Sequence, residues 1–241
     1  MDTSVAATLG FGFLLGVRHA FDADHIVAVA ALVSQHRRVS LACLLGAFWG
    51  LGHTTALLVA GAALTTLKLT ITPRIERGLE MSVALLLIVL GGHVLLRLLG
   101  MAMLHRHAHS HGGRTHSHVH FHAHGHPAGD HTEPSHVHLR DLGARPFLVG
   151  LLHGMAGTAA IMLLVASTIP SAVVALAYIA VFGLGSTLAM LALSGMIGVP
   201  FVMTSSRSSS IHRVVQGLAG AASLFLGGVL VWRLLSVMPQ K

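Results

Sequence analysis

Between Arg18 and Ile26 the chain reads RHAFDADHI, which places two histidines and two aspartates within seven residues. His19, Asp22 and His25 follow one another at intervals of three, so an unbroken helix would carry them along one side and turn Asp24 away. Two imidazoles and a carboxylate on one face make a ligand set for a divalent first-row metal. Imidazole suits Ni, Co, Zn, Cu and Fe, and a mixed nitrogen and oxygen set is unlike a soft thiolate site. Asp24 would then orient a ligating imidazole from behind, as such imidazoles usually require. The plainer alternative is a buried network of Arg18, the aspartates and the histidines that only fixes helix packing.

A second polar stretch, LGHTT, contributes His53, Thr54 and Thr55. Alone, His53 could do no more than bond a backbone carbonyl; beside RHAFDADHI it becomes a candidate ligand. The metal candidates are therefore His19, Asp22, Asp24, His25 and His53. His153, Thr54 and Thr158 are secondary candidates. His93 reads as interfacial, and Met155, Met162 and Met190 as packing residues. No residue is singled out as catalytic, and the chain is not expected to be an enzyme or to carry a resident cofactor.

The elements that hold these groups must be apolar. The chain has 241 residues, of which 54% are hydrophobic and 10% charged, with a mean hydropathy of +0.76. Apolar windows of about 20 residues, the length that crosses a hydrocarbon core, recur along it. They are too continuous for the alternation of a membrane β-barrel. The expected fold is an all-α polytopic membrane protein with six transmembrane helices, at roughly 4–34, 41–66, 78–100, 146–168, 171–197 and 211–236. The first is long enough to tilt, kink or break at its glycines and charged patch. Pro73 and Pro146 fit helix starts or the loops just before them, while Pro170 and Pro200 punctuate the second half. A charge at mid-membrane costs about 2.5–3.5 kcal/mol on insertion scales, so ionisable groups there normally face protein or water and serve a function.

The two halves resemble each other. GVRHAFDADHIVAVAAL aligns with GLLHGMAGTAAIMLLVA, matching His19 with His153 and Asp24 with Thr158. FWGLGHTTALL aligns with VFGLGSTLAML at nearly the same offset, matching His53 with Ser186. Three spans per copy is an odd number, so the copies must cross in opposite directions. Inverted repeats of this kind mark transporters, with the substrate site near the midplane between the halves. The expected organisation is a first three-helix repeat over 1–100, a histidine-rich loop over 101–145 and a second repeat over 146–241.

The net charge of +7 sits in short inter-helix segments without aromatic interleaving, which argues for a topology signal and against nucleic acid. The segments joining spans 1–2, 3–4 and 5–6 carry more arginine than the other side. The positive-inside rule therefore places them in the cytoplasm and both termini outside. No cleavable signal is expected, since no Lys or Arg precedes Arg18. Cys43 is the only cysteine, which excludes a disulfide framework and dithiol electron relay. With no Walker-type phosphate loop, a self-contained ATP pump is not expected.

Residues 105–138 hold thirteen of the chain's twenty histidines, many in His-x-His alternation. Mixed with Gly, Ser and Pro, the tract has no core-forming pattern and is expected to be disordered without metal. Its imidazoles chelate divalent ions once deprotonated, above a pKa near 6.5. It reads as a cytoplasmic metal buffer or sensor.

RHAFDADHI contains the H-x4-D-H pattern of the nickel/cobalt transporter family, and LGHTT is similar to that family's next-helix motif. The acidic motif expected in the second half reads GLLHGMAGTAA here, which resembles the shorter, urease-accessory-like branch. The resemblance implies that His19, Asp24 and His25 are metal-site residues with His53 close by, and that Ni²⁺ or Co²⁺ crosses a cytoplasmic (inner) membrane as the transported substrate. A potential-driven uptake carrier is the first expectation. Proton-coupled efflux is an alternative, and so is a non-transporting delivery protein for a nickel enzyme. A cytoplasmic nickel chaperone is an expected partner.

Overall fold

The computed structural model describes residues 3–67, 72–100, 104–111, 114–121, 139–154 and 158–236; for 3, 104–111, 114–121, 139–142, 158–161 and 164 it describes the backbone alone. The described chain forms eight helices and one two-stranded ribbon. In order these are α1 (Thr3–His19), α2 (Ala23–Val33), α3 (Val39–Leu67), α4 (Pro73–Leu98), β1 (Leu104–His111), β2 (Arg114–Phe121), α5 (Leu139–His153), α6 (Thr158–Ser167), α7 (Ala172–Arg207) and α8 (Ser209–Ser236). Four of them, α3, α4, α7 and α8, are long and apolar enough to cross a membrane. A fifth span results if α1 and α2 count as one, bent by 56° at residues 20–22.

Three expectations change. The span expected over 146–168 is two helices, α5 and α6, which end and begin around the glycine-containing sequence Gly154-Met155-Ala156-Gly157. Pro146 lies inside α5 and Pro200 inside α7, so neither ends its helix. An apolar bundle tolerates a helical proline through its neighbouring helices and local adjustment, and one turn on the Thr204 hydroxyl donates 2.8 Å to the Pro200 carbonyl. Thr72 and Pro73 behave as read: Thr72 caps α4 by accepting the Ile75 amide, with proline at the first helical position.

The histidine-rich segment, expected to lack regular structure, contains the antiparallel ribbon of β1 and β2. The same His-x-His alternation that gives no helical core is a period-two pattern, and a Gly-Gly pair separates its two runs, a hairpin signal. The register sets His105 opposite His120, His107 opposite His118 and His109 opposite His116. The remainder of that tract, 112–113 and 122–138, lies outside the described residues.

In the bundle α3 packs along α7 and α5, α1 along α7, and α4 along α8. Lipid is as apolar as leucine, so helices in a membrane gain from close van der Waals approach, which small residues permit. A Cβ at Gly16 would overlap the Phe182 carbonyl oxygen, and one at Gly150 would overlap that of Trp49. One at Gly185 would overlap the Phe13 carbonyl oxygen, and one at Gly52 that of Phe147. These bare backbones bring α1 against α7 and α5 against α3. At the α3–α7 crossing the Thr54 and Thr187 hydroxyls meet at 3.0 Å, and Thr54 also donates to the Gly183 carbonyl at 3.0 Å. Trp49, Leu57, Tyr178, Phe182 and Met190 fill the buried space around these crossings.

Candidate metal centre

The break at residues 20–22 decides the site. His19 is the last residue of α1 and Asp22 precedes the first residue of α2, in extended backbone. The one-sided His19–Asp22–His25 stripe of a continuous helix therefore does not form. Instead the bend turns Asp24 inward, where the unbroken helix would have turned it away.

His19, His25, His53 and His153 are all buried. The Nε2 atoms of His19 and His53 lie 3.1 Å apart, and the His19 Nδ1 faces Asp22 Oδ2 at 3.0 Å. The Asp24 carboxylate spans two partners: Oδ1 lies 3.1 Å from His25 Nδ1 and accepts the His25 amide at 2.9 Å, and Oδ2 lies 3.1 Å from His153 Nε2. Ring centroids run from His53 to His19 (4.9 Å), to His25 (4.5 Å), to His153 (4.3 Å).

Two triads of potential ligands result. His19, His25 and His53 form one, and Asp24, His25 and His153 the other, each with its ligand atoms within 4.8 Å of one another. His25 belongs to both. Three buried imidazole nitrogens, His25 Nε2, His53 Nδ1 and His153 Nδ1, have no hydrogen-bond partner in the protein. A buried polar atom left unpaired is costly and calls for an explanation. A cation taken by His25 Nε2, on the ring common to both triads, supplies one for that atom. Nitrogen–metal bonds of about 2.0–2.1 Å put two ligating nitrogens about 2.9–3.4 Å apart. The His19–His53 separation falls in that range.

The sequence candidates thus divide. His19, His25, His53 and Asp24 meet in the two triads. Asp22 stands behind His19, in the supporting position first assigned to Asp24. His153, a secondary candidate, lies within the second triad. Thr54 is spent on the α3–α7 crossing, and Thr158 opens α6 with its side chain outside the described ones. His93 is exposed on α4, away from the cluster. Sequence reasoning missed two aromatic neighbours of the cluster, Phe182 and Trp49. Phe182 lies 5.5 Å from the His19 ring and Trp49 5.5 Å from the His153 ring. Their signal was the alignment of FWGLG with VFGLG, which pairs Trp49 with Phe182.

Long apolar helices around a buried cluster of imidazoles and a carboxylate define a polytopic helical membrane protein with a candidate intramembrane metal centre. Over 227 residues the chain is 34% identical to the urease accessory protein UreH of Bacillus sp. (strain TB-90), covering 94% of this chain and 91% of that protein. It belongs to that family, the urease-accessory-like branch of the nickel/cobalt transporters. It is also 24% identical over 232 residues to the chloroplast protein FOR GROWTH AND FERTILITY 2 of Arabidopsis thaliana, covering 95% of this chain and 56% of that one. No family profile and no solved structure matches the chain.

Proposed function

We propose that the protein is a secondary carrier, not an enzyme, that moves Ni²⁺ or Co²⁺ across the inner membrane. The observation that carries this reading is the pair of triads sharing His25, buried where α1, α2, α3 and α5 meet. An incoming ion sheds water to His19, His25 and His53, then passes to Asp24, His25 and His153 by exchanging partners around His25, which never has to let go. Asp22 holds the His19 ring with Nδ1 as donor, leaving Nε2 its lone pair. Moving two charges inward down the membrane potential gains about 4.6 kcal/mol per 100 mV, from about 2.3 per charge. That exceeds a thousandfold at equilibrium, so uptake needs no second energy source.

In this reading α5 and α6 together make the fourth of six crossings and the halves are inverted repeats. The glycine contacts support it. Gly150 follows Gly16 by 134 residues and Phe182 follows Trp49 by 133, so Gly16 on Phe182 and Gly150 on Trp49 are the same contact made twice. Gly185 on Phe13 and Gly52 on Phe147 repeat the pattern. Both termini then lie outside and the histidine-rich loop in the cytoplasm. There the His-to-His register of β1 and β2 suits a buffer that takes the ion from the carrier, ahead of a nickel chaperone.

The relative's name favours a second reading, a protein that delivers metal to a nickel enzyme such as urease without transporting it. Uptake of labelled Ni²⁺ and Co²⁺ into proteoliposomes under an imposed potential separates the two. The carrier gives potential-dependent accumulation that His25→Ala abolishes. Accumulation no greater than in protein-free vesicles overturns it, and accumulation only against the potential, with protons, would favour export.

A further inference from the structure

A second polar feature lies away from the metal centre. The connection between α2 and α3, the C-terminal ends of α4 and α7 and the start of α8 enclose an open cavity of about 390 Å³. Arg37, Arg97 and Arg213 line it together with Gln35 and His212, and no carboxylate does. Arg97 donates to the Gln35 side-chain oxygen, and the His212 Nδ1 lies 3.2 Å from the Thr204 hydroxyl. None of the three arginines has a carboxylate partner among the described residues.

Arginines that serve only to set topology need a place in a loop and no common cavity. Here three solvent-exposed arginines line one concavity from three separate segments of the chain, and no protein carboxylate among the described residues offsets their like charge. The ligand that relieves it must be an anion. Three guanidinium forks offer more donors than one carboxylate has oxygens to receive, whereas a phosphate group presents several acceptor oxygens in the geometry that arginine matches. The volume falls in the range of small-ligand sites. The cavity opens at the end of the bundle, and Val94 and Leu98 form its apolar edge. Basic cavities between helices at that level bind phospholipid headgroups.

We propose that this cavity is a binding site for a phosphate-bearing anion, either the headgroup of an anionic phospholipid or free phosphate. Bound there, the anion ties the α2–α3 connection to α4 and to the α7–α8 turn.

Arginine modification by phenylglyoxal, mapped by mass spectrometry on the full-length wild-type protein, tests it. The protein is compared in phosphatidylcholine nanodiscs, in nanodiscs containing phosphatidylglycerol, and in phosphatidylcholine nanodiscs with inorganic phosphate. Arg37, Arg97 and Arg213 should be protected, while Arg74 and Arg77 at the start of α4, likewise exposed but outside the cavity, should not. Protection by phosphatidylglycerol alone assigns the headgroup, and protection by inorganic phosphate assigns the free ion. Protection by neither, or equal protection of Arg74 and Arg77, overturns the proposal. As a second measurement, native mass spectrometry of the folded R37Q/R97Q/R213Q variant should show phosphatidylglycerol or phosphate retention weakened about a hundredfold. Retention equal to wild type overturns the proposal as well.

Discussion

His19 and His53 are 34 residues apart in sequence, yet their Nε2 atoms approach to 3.1 Å in the buried interior. The bond made at the far side of His19 fixes how that approach can be used. With Nδ1 donating to Asp22, the His19 Nε2 presents a lone pair, and a shared proton or a shared cation can hold the two rings together. The same lone pair cannot serve both. A bound metal therefore displaces the proton, and metal affinity should fall in acid.

His25 is the one side chain common to both triads. His25→Ala should lower Ni²⁺ uptake by proteoliposomes at least about a hundredfold, since ligand loss costs more than loss of a supporting partner. His53→Ala and His153→Ala each leave one triad whole and should retain more metal binding in a direct titration than His25→Ala. Equal binding by all three variants would contradict a shared ligand.

Asp22 acts through His19. Asp22→Asn should weaken Ni²⁺ binding about 10–100-fold while leaving the protein folded, because the imidazole loses the group that fixes its tautomer and orientation. Isothermal titration of the purified variant, with thermal melting as the folding control, reads both quantities.

Close backbone approach sets the bundle. Gly52→Ala or Gly150→Ala pushes a methyl group into a facing carbonyl and should destabilise by about 1–3 kcal/mol. Gly92→Ala and Gly228→Ala meet open space and should change stability little. Thermal melts in detergent compare the four. Thr54→Val tests the same crossing through its hydrogen bonds, with an expected loss of about 0.6 kcal/mol and at most about 1.7.

His36 lies between α2 and α3, where burial and then the Arg97 charge hold its imidazole below the ordinary value of 6.5. As pH falls through 6.5 the unfolded chain takes up a proton that the folded chain refuses, so stability drops until the lowered folded value is passed. His36→Gln should lessen the difference in melting temperature between about pH 7.5 and about pH 5.5. An unchanged difference would assign the acid sensitivity to other groups.

The sequence by itself determined the class. Apolar windows of membrane length, a charged patch within one of them, and an echo of GVRH in GLLH are properties of residue order that need no partner. It also named His19, His25 and His53, because an ionisable group in an apolar run is costly wherever that run ends up. Only the tertiary structure decided the ligand sets. The helix ends at His19 and restarts at Ala23, and this bend exchanges Asp22 and Asp24: one falls behind a ring and the other between two rings. The length of the first apolar run and its charged patch allowed for a break, but periodicity does not say at which residue it falls, since that depends on what α1 and α2 pack against. His153 joins the cluster for the same reason. Its entry depends on Gly52 and Gly150 letting α5 lie against α3, a long-range approach that the local sequence permits but does not specify. The grouping of Arg37, Arg97 and Arg213 around one cavity likewise follows from where α4 ends and α8 begins in space, since these arginines are far apart along the chain.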